Sequence, residues 1–308
     1  MRIEYHRTLI ADAVRNTAFH AALKAVIAPG ETVVADIGAG TGLLGLIAAK
    51  LGAKQVFLFE AAEVAAVAAK TVKANRAKQC VLIPCHSTEF DDTLQADVIV
   101  SETLGNYALE ENIIATIADA RRRFLKPGGV IIPRALAQLA APVVARRIHD
   151  ELSAWDKVGH GLDFSFAKAM SLNNAYVRAL RPDELLGAVV WDAIDLAHDD
   201  RSNRKGEARW TLKRGADIYG FAVWWRADLG SGVSLSTAPD APKTHWEQLY
   251  FPLLEPIHAK SGETVEASFR SRSSEKAGTH LAWTASHVDA KGRRIARQTM
   301  DLDKGYLP

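Results

Sequence analysis

Glu102 and Glu111 bracket a short glycine-containing loop, Ser101-Glu102-Thr103-Leu104-Gly105 through Glu110-Glu111, just after an apolar run at about 96 to 100. Carboxylates spaced this way on a loop can converge on one planar cation. A guanidinium, with its rigid fork of N–H donors, best matches two such acceptors. The loop therefore reads as a holder for an arginine. Glu110 adds a third carboxylate beside Glu111. If 110 to 125 is a helix, sequence neighbours point about 100 degrees apart, so only one of the two faces a common site. The spacing from Glu102 selects Glu111 and leaves Glu110 as a first-turn acid that suits the helix dipole.

A second cluster lies upstream. Val33-Val34-Ala35-Asp36-Ile37 is an apolar run broken by one acid, followed by Gly38-Ala39-Gly40-Thr41-Gly42 and the helix-forming Leu43 to Lys50. Glycines there let a strand turn sharply into a helix while a ligand lies against bare backbone. About twenty residues on, the run Gln55 to Phe59 ends in Glu60, a carboxylate placed to accept both hydroxyls of a ribose. Gly40 to Gly45 also fits G-x-G-x-x-G, so a dinucleotide with its pyrophosphate on the helix N-terminus competes for the site, as does an empty structural turn. Asp36 discriminates between them: it repels a pyrophosphate and suits a cationic ligand, such as the amino and sulfonium end of S-adenosylmethionine.

The elements that must position these groups alternate. Residues 1 to 28 carry a helical pattern stopped by Pro29-Gly30. Strands are expected at about 32–36, 55–60, 81–84 and 96–100, with helices from 42, over 62–76 and over 110–125; Lys126-Pro127-Gly128-Gly129 then turns into Val130-Ile131-Ile132. Alternation of this kind implies a parallel sheet with ligands at the C-terminal strand ends, where Gly42, Glu60, Glu89 and Glu102 fall. After Pro133 short alternating runs separated by Gly, Pro, Asp and Ser predict an antiparallel sandwich or barrel. Asp150 to Leu180 is read as helical and rich in apolar residues, among them Trp155, Leu162, Phe164, Phe166 and Met170.

The motifs at 36 to 42, at 101 to 105 with Glu111, and Thr244-His245-Trp246, in this order, resemble the protein arginine methyltransferases. His6, Asp12, Val14 and Arg15 match the family's N-terminal stretch, and the likeness covers nearly the whole chain, more loosely between about 135 and 240. It implies an α/β fold. A Rossmann-like class I methyltransferase domain over 1–133, with 1–28 as an N-terminal helical segment, precedes an antiparallel β-barrel or sandwich over 134–308. A helical dimerisation arm at about 150–180 belongs to the second. It also implies S-adenosylmethionine as cofactor, S-adenosylhomocysteine as product, no metal, a homodimer, and an arginine in a protein or peptide as acceptor.

By the same resemblance, Glu102 and Glu111 hold the guanidinium, and Asp12 pairs with His245 across the cleft, where His245 is a candidate to take the released proton. Trp246 walls the arginine pocket, and Leu9 stands where the family has a methionine that limits its size. His6 and Arg15 lie near the cofactor's carboxylate, with Arg15 as its clamp. Asp36, Gly38, Gly40, Gly42 and Glu60 hold the rest, and Glu89, or Thr88 with an alignment shift of one, accepts from the adenine amino group. The bland readings of solvated loop glutamates, a structural histidine and a helix-surface arginine stay open. The sequence departs from the family in two places. The chain starts only a few residues before His6, without the Tyr-Phe-x-x-Tyr helix, and Thr103-Leu104-Gly105-Asn106 replaces Trp-Met-Gly-Tyr, so mono-, symmetric and asymmetric dimethylation all stay open.

Bulk properties bound the alternatives. A formal net charge of +2 over 308 residues gives no whole-chain polyanion footprint, and basic residues are scattered apart from Arg121 to Arg123 and a second run near Arg294. The two cysteines, Cys80 and Cys85, lack disulfide or zinc spacing, and no run approaches membrane-span length, which points to the cytoplasm. Other readings are a methyltransferase for a small guanidino or amine metabolite and a cofactor-binding regulatory protein without turnover. A base methyltransferase is disfavoured because an Asn/Asp-Pro-Pro-aromatic motif is absent after the fourth strand.

Overall fold

A computed structural model describes residues 3–274 and 278–304. Helices α1 (Ile3–Ala11) and α2 (Ala13–Val26) open the chain, and the single expected helical stretch is broken at Asp12. The break has a local cause. Asp12 adopts an extended conformation and its side chain accepts from Arg15 N at 2.9 Å, capping α2.

Next come β1 (Val33–Ile37), α3 (Leu43–Lys50), β2 (Gln55–Phe59), α4 (Ala65–Ala74), β3 (Cys80–Ile83), β4 (Ala96–Ser101), α5 (Ile113–Phe124) and β5 (Leu125–Ile132). The strands form one parallel sheet in the order β3-β2-β1-β4-β5. A sheet covered on both faces needs strands that are apolar throughout, and consecutive Val98, Ile99 and Val100 are all buried. The order places β1 and β4 side by side at the switch point, where crevices form at the carboxyl ends. That adjacency brings the Gly38–Gly42 turn and the Glu102 loop together. Helix α5 starts at Ile113 rather than near 110, after Asn112 in the left-handed region. Glu110 is therefore a turn residue, and the helix-dipole role expected for it does not apply.

Between Ile132 and Ala135 the chain leaves this sheet. The remaining elements are β6 (Ala135–Val143), α6 (Arg146–Leu152), α7 (Ser165–Leu172), β7 (Tyr176–Arg178), β8 (Val189–Asp195), β9 (Asn203–Thr211), β10 (Ala216–Gly230), β11 (Val233–Ser236), β12 (Gln248–Ala259), β13 (Thr264–Ser274), β14 (Gly278–Val288) and β15 (Arg294–Asp301). They make two antiparallel sheets, β7-β12-β10-β6-β8 with β11 on β10, and β15-β14-β13-β9. Aromatic rings join them: Phe251 stacks on Trp283 at 4.7 Å, Phe221 meets Phe269 edge-on at 5.8 Å, and Trp191 lies 5.2 Å from Phe269. Each such pair contributes about 0.5–1.5 kcal/mol beyond the area it buries. Helix α2 packs on α3 and β5 of the first part and on β10 and β11 of the second, so buried Phe19 and Leu23 serve both. Among the described residues no helix is long and apolar enough to cross a membrane.

Candidate active site

A cavity of about 330 Å3 opens at the ends of β1, β2 and β4, with walls that include His6, Leu9, Asp36, Gly38, Gly40, Glu60, Glu102 and Glu111. The backbone builds one side of it. Gly38 has φ +74°, and a Cβ there would lie 2.6 Å from Thr103 Cγ2, so the turn and the Glu102 loop touch only because the side chain is missing. Gly45 is packed for another reason: a Cβ would meet Leu58 at 2.8 Å, which lets α3 press on β2. Its N–H donates to Asp36 Oδ2 at 2.8 Å. Burial pushes the Asp36 carboxyl up to about 7, against that hydrogen bond and the attraction of Arg15. Gly42 caps α3 behind this wall and does not itself line the cavity.

Glu60 accepts from Gly40 N and Ala62 N, both at 2.8 Å, which ties the tip of β2 to the glycine turn. Two buried polar atoms of the lining have no hydrogen-bond partner among the described residues, His6 Nε2 and Ser87 Oγ. Orphaned buried polar atoms are costly and mark places where another molecule completes the bonding. Together with the Glu60 carboxylate and the bare backbone at Gly38 and Gly40, they fit a ligand with one hydroxyl-rich and one nitrogen-rich part, as a nucleoside has.

Thr88 and Glu89, the residues expected at the adenine amino group, stand outside the cavity. Both are exposed; Cys85, His86 and Ser87 line it. Thr88 Oγ1 bonds His86 Nδ1 at 2.7 Å and Glu89 Oε2 accepts from His86 N at 3.3 Å, so both take part in capping their own helical turn. Arg15 lines the cavity as well. Its guanidinium is aimed at Glu102, through Nε to Oε2 at 2.6 Å and a second bond from Nη2 to the same oxygen, while Nη1 donates to Asn16 at 2.7 Å. A buried carboxylate is stable beside a cation, and Arg15 is the cation within reach. Burial still raises the Glu102 carboxyl to about 7, and Arg15 opposes that rise.

Glu111 opens onto the same cavity, its carboxyl raised by desolvation and by its neighbours Glu110 and Glu60. Glu110 instead folds back, accepting from Tyr107 N at 3.1 Å, and fills the space against Gly105. Asp12 and His245 meet: His245 Nδ1 lies 2.7 Å from Asp12 Oδ2, and its backbone N–H donates to the same oxygen at 2.8 Å. Burial lowers the His245 pKa although Asp12 pulls it up. Burial would raise Asp12, but hydrogen bonds from Arg15 N and His245 leave it below the ordinary carboxylate range. The pair stands behind Arg15 and outside the cavity lining.

Trp246, expected to wall an arginine pocket, is buried, and its indole N–H donates to Leu104 O at 2.9 Å. Its flat ring packs on His245 and edge-on to Trp225, which leaves only the N–H free to reach the loop. Sequence reading missed Trp225, whose N–H donates to Gly105 O at 2.9 Å. Glu247 N donates to Asn106 at 2.9 Å, Gln138 Nε2 reaches Tyr107 OH at 3.1 Å, and Ser273 Oγ donates to Leu109 O at 2.9 Å. The antiparallel part thus grips backbone and side chains of the loop between the two glutamates. No local signal marks Trp225 or Ser273, because each is an ordinary strand residue until the fold closes.

Comparison with known proteins agrees with this geometry. The family model for the arginine methyltransferase oligomerization subdomain matches residues 136–286, and that for ribosomal protein L11 methyltransferase matches 19–155. The chain is 32% identical to the arginine N(omega)-methyltransferase of Streptomyces achromogenes subsp. streptozoticus, over 85% of this chain and 74% of that protein. It is 30% identical to protein arginine N-methyltransferase 6 of Xenopus laevis, over 91% and 86%. Among solved structures the fold is like the Trypanosoma brucei PRMT1 enzyme-prozyme heterotetrameric complex with AdoHcy (TM-score 0.87, 22% identity, 98% of each chain). It is also like Arabidopsis thaliana protein arginine methyltransferase 10 (TM-score 0.82, 22% identity, 98% of each chain). With 30% identity spread over both the glycine-turn half and the Thr244-His245-Trp246 half, the chain belongs to the protein arginine N-methyltransferase family.

Proposed function

We propose that this protein is an S-adenosylmethionine-dependent methyltransferase that modifies the guanidinium nitrogens of arginine in a protein or peptide. The observation that carries the reading is Glu102 in the same cavity as the glycine turn, Asp36 and Glu60, already accepting two bonds from a guanidinium, that of Arg15. The cofactor supplies an electrophilic methyl group on sulfonium. His6, Asp36, the Gly38–Gly40 backbone, Glu60 and Ser87 would hold it.

An arginine side chain is a weak nucleophile because its charge is delocalised and its pKa exceeds about 12. Charge-assisted bonds donated by the guanidinium to Glu102 and Glu111 would draw positive charge toward the bonded nitrogens and orient the attacking one. Arg15 positions Glu102 from behind, and the Asp12–His245 pair fixes the N-terminus of α2 and offers a proton acceptor near the cleft. In this reading 1–133 is the cofactor unit and 134–308 the acceptor-side unit, in the cytoplasm.

We also propose a homodimer through the α6–α7 region, where Trp155, Leu162, Phe164 and Phe166 are exposed. Deleting about 155 to 178 and closing the gap with a glycine linker should give monomers of lower activity; an unchanged dimer in sedimentation would return the segment to ordinary surface helices. A second acceptor, free arginine, is favoured by the Streptomyces relative, whose name carries arginine without protein. Radiolabelled methyl transfer to arginine peptides, free arginine and RNA, side by side, tests the proposal. Label on peptide supports it, label on free arginine alone selects the second reading, and label on neither with intact cofactor binding leaves a non-catalytic binding protein.

A further inference from the structure

The polar lining of the cavity changes from one strand end to the next. Its carboxylates among the described residues, Asp36, Glu60, Glu102 and Glu111, come from β1, from the tip of β2 and from the loop after β4. In the sheet order β3-β2-β1-β4, the end of β3 lies on the far side of β2 from that loop. There the described lining residues are Cys85, His86 and Ser87, and none carries a carboxylate. Ser87 is 1% exposed, and its hydroxyl is one of the two orphaned polar atoms of the lining.

The residue that carries this hydroxyl is firmly held. Ser87 opens the short helical turn Ser87–Glu89, and Arg123 of α5 grips the turn at both ends, donating to Ser87 O and, at 2.5 Å, to Phe90 O. Phe90 in turn packs edge-on against Phe59, 5.3 Å away at the tip of β2, and against Phe124 of α5. The backbone of Ser87 is therefore fastened from two elements while its Oγ has no partner among the described residues. Thr88 and Glu89, in the same turn, bond His86 and stand outside the cavity. A buried hydroxyl without a partner costs stability, and a bound molecule that completes the bond recovers that cost.

We infer that Ser87 reads the base of the nucleoside cofactor, and that the site accepts a 6-oxopurine nearly as well as a 6-aminopurine. The inference rests on the cofactor reading above: with the reacting end at Glu102 and the ribose at Glu60, the base falls beyond β2, at Ser87. A carboxylate only accepts hydrogen bonds, so it binds an amino group and repels a carbonyl oxygen. A hydroxyl has one donor and two acceptor lone pairs and rotates to suit either. Arg123 is a positioning residue here, since it acts on the base only through the turn it holds.

The test is calorimetry on the whole protein with S-adenosylhomocysteine and S-inosylhomocysteine, in which the 6-amino group of the base is replaced by a 6-oxo group. Wild type should bind the two within about threefold of each other, whereas a charged acceptor at the base would reject the inosyl compound by roughly ten- to a hundredfold. Ser87→Ala should weaken both by about three- to tenfold, and the melting temperature of the free protein should stay the same or rise, because the change removes a buried polar group with no partner. Glu89→Gln and Thr88→Val should leave both affinities as they are. Rejection of the inosyl compound by wild type, or affinities untouched in Ser87→Ala, overturns the inference, and relief of that rejection in Glu89→Gln would give the base to Glu89. A Ser87→Ala protein with both a lower melting temperature and lower affinities marks a merely structural serine and overturns it as well. Wild type that binds neither compound removes the cofactor reading itself, and the inference with it.

Discussion

The parallel-sheet half and the antiparallel half contribute to the same cavity in different ways. The first builds its wall from contiguous backbone: Gly38 to Gly40 turn tightly at the end of β1, and Glu60 locks to that turn from the neighbouring strand. The second donates Asp12's partner His245 and a set of hydrogen bonds to a loop it does not own, among them those from Trp246, Trp225 and Ser273 to the carbonyls of Leu104, Gly105 and Leu109. One half makes a cavity wall that local sequence specifies. The other sets the separation of two carboxylates on a loop that has no regular structure of its own, so under the proposed function chemistry should depend on the interface between halves more than cofactor binding does.

The sharpest way to break this contrast is Glu102→Gln. Losing the charge at the reacting group is worth about 3 kcal/mol, so turnover should fall by roughly two orders of magnitude while S-adenosylhomocysteine affinity in calorimetry stays near wild type. Near-normal turnover would sink the paired-glutamate mechanism. The converse substitutions, Asp36→Ala or Glu60→Ala, act on the first half alone and should weaken cofactor binding by about 1–3 kcal/mol. Unchanged affinity in both variants would put the cofactor elsewhere.

Trp246→Phe and Trp225→Phe remove one indole N–H each while keeping most of the packing. Each should lower kcat by roughly five- to twentyfold, in line with about 1–2 kcal/mol for a buried acceptor left unpaired, and leave S-adenosylhomocysteine affinity intact. Equal losses in affinity and kcat would mean that the two halves are not separable in this way.

The smallest effect is in pH dependence. Burial holds Glu102 at about 7 in the folded protein, above the ordinary glutamate value of about 4.3. A carboxyl raised on folding stabilises the protein most below its unfolded value, and that contribution is lost as pH rises through about 7. The melting temperature of the free protein should therefore drop on going from about pH 5 to about pH 8, by less in Glu102→Gln. The kcat/KM, which needs the carboxylate, should rise over the same interval as Glu102 ionises. Stability and activity moving together there would assign the titration to another group.

Sequence alone determined the alternation that builds the parallel sheet, the glycine turn with Asp36 and Glu60, and the loop carrying Glu102 and Glu111, because each is fixed by residues close in the chain: strand periodicity, the conformational freedom of glycine, a carboxylate at a strand tip. It also placed Asp12 with His245 through the family motifs, a pairing 233 residues apart that the structure forms. Alignment carries no record of the local capping at Thr88 and Glu89, which bond His86 within one helical turn. Tertiary structure decided the rest. Arg15 reaches Glu102 only when α2 is laid against β4's loop, and Trp225 and Trp246 meet that loop only when the antiparallel sheets close on it. These contacts join side chains far apart in sequence, and neither spacing nor composition records which distant partner a strand residue will face.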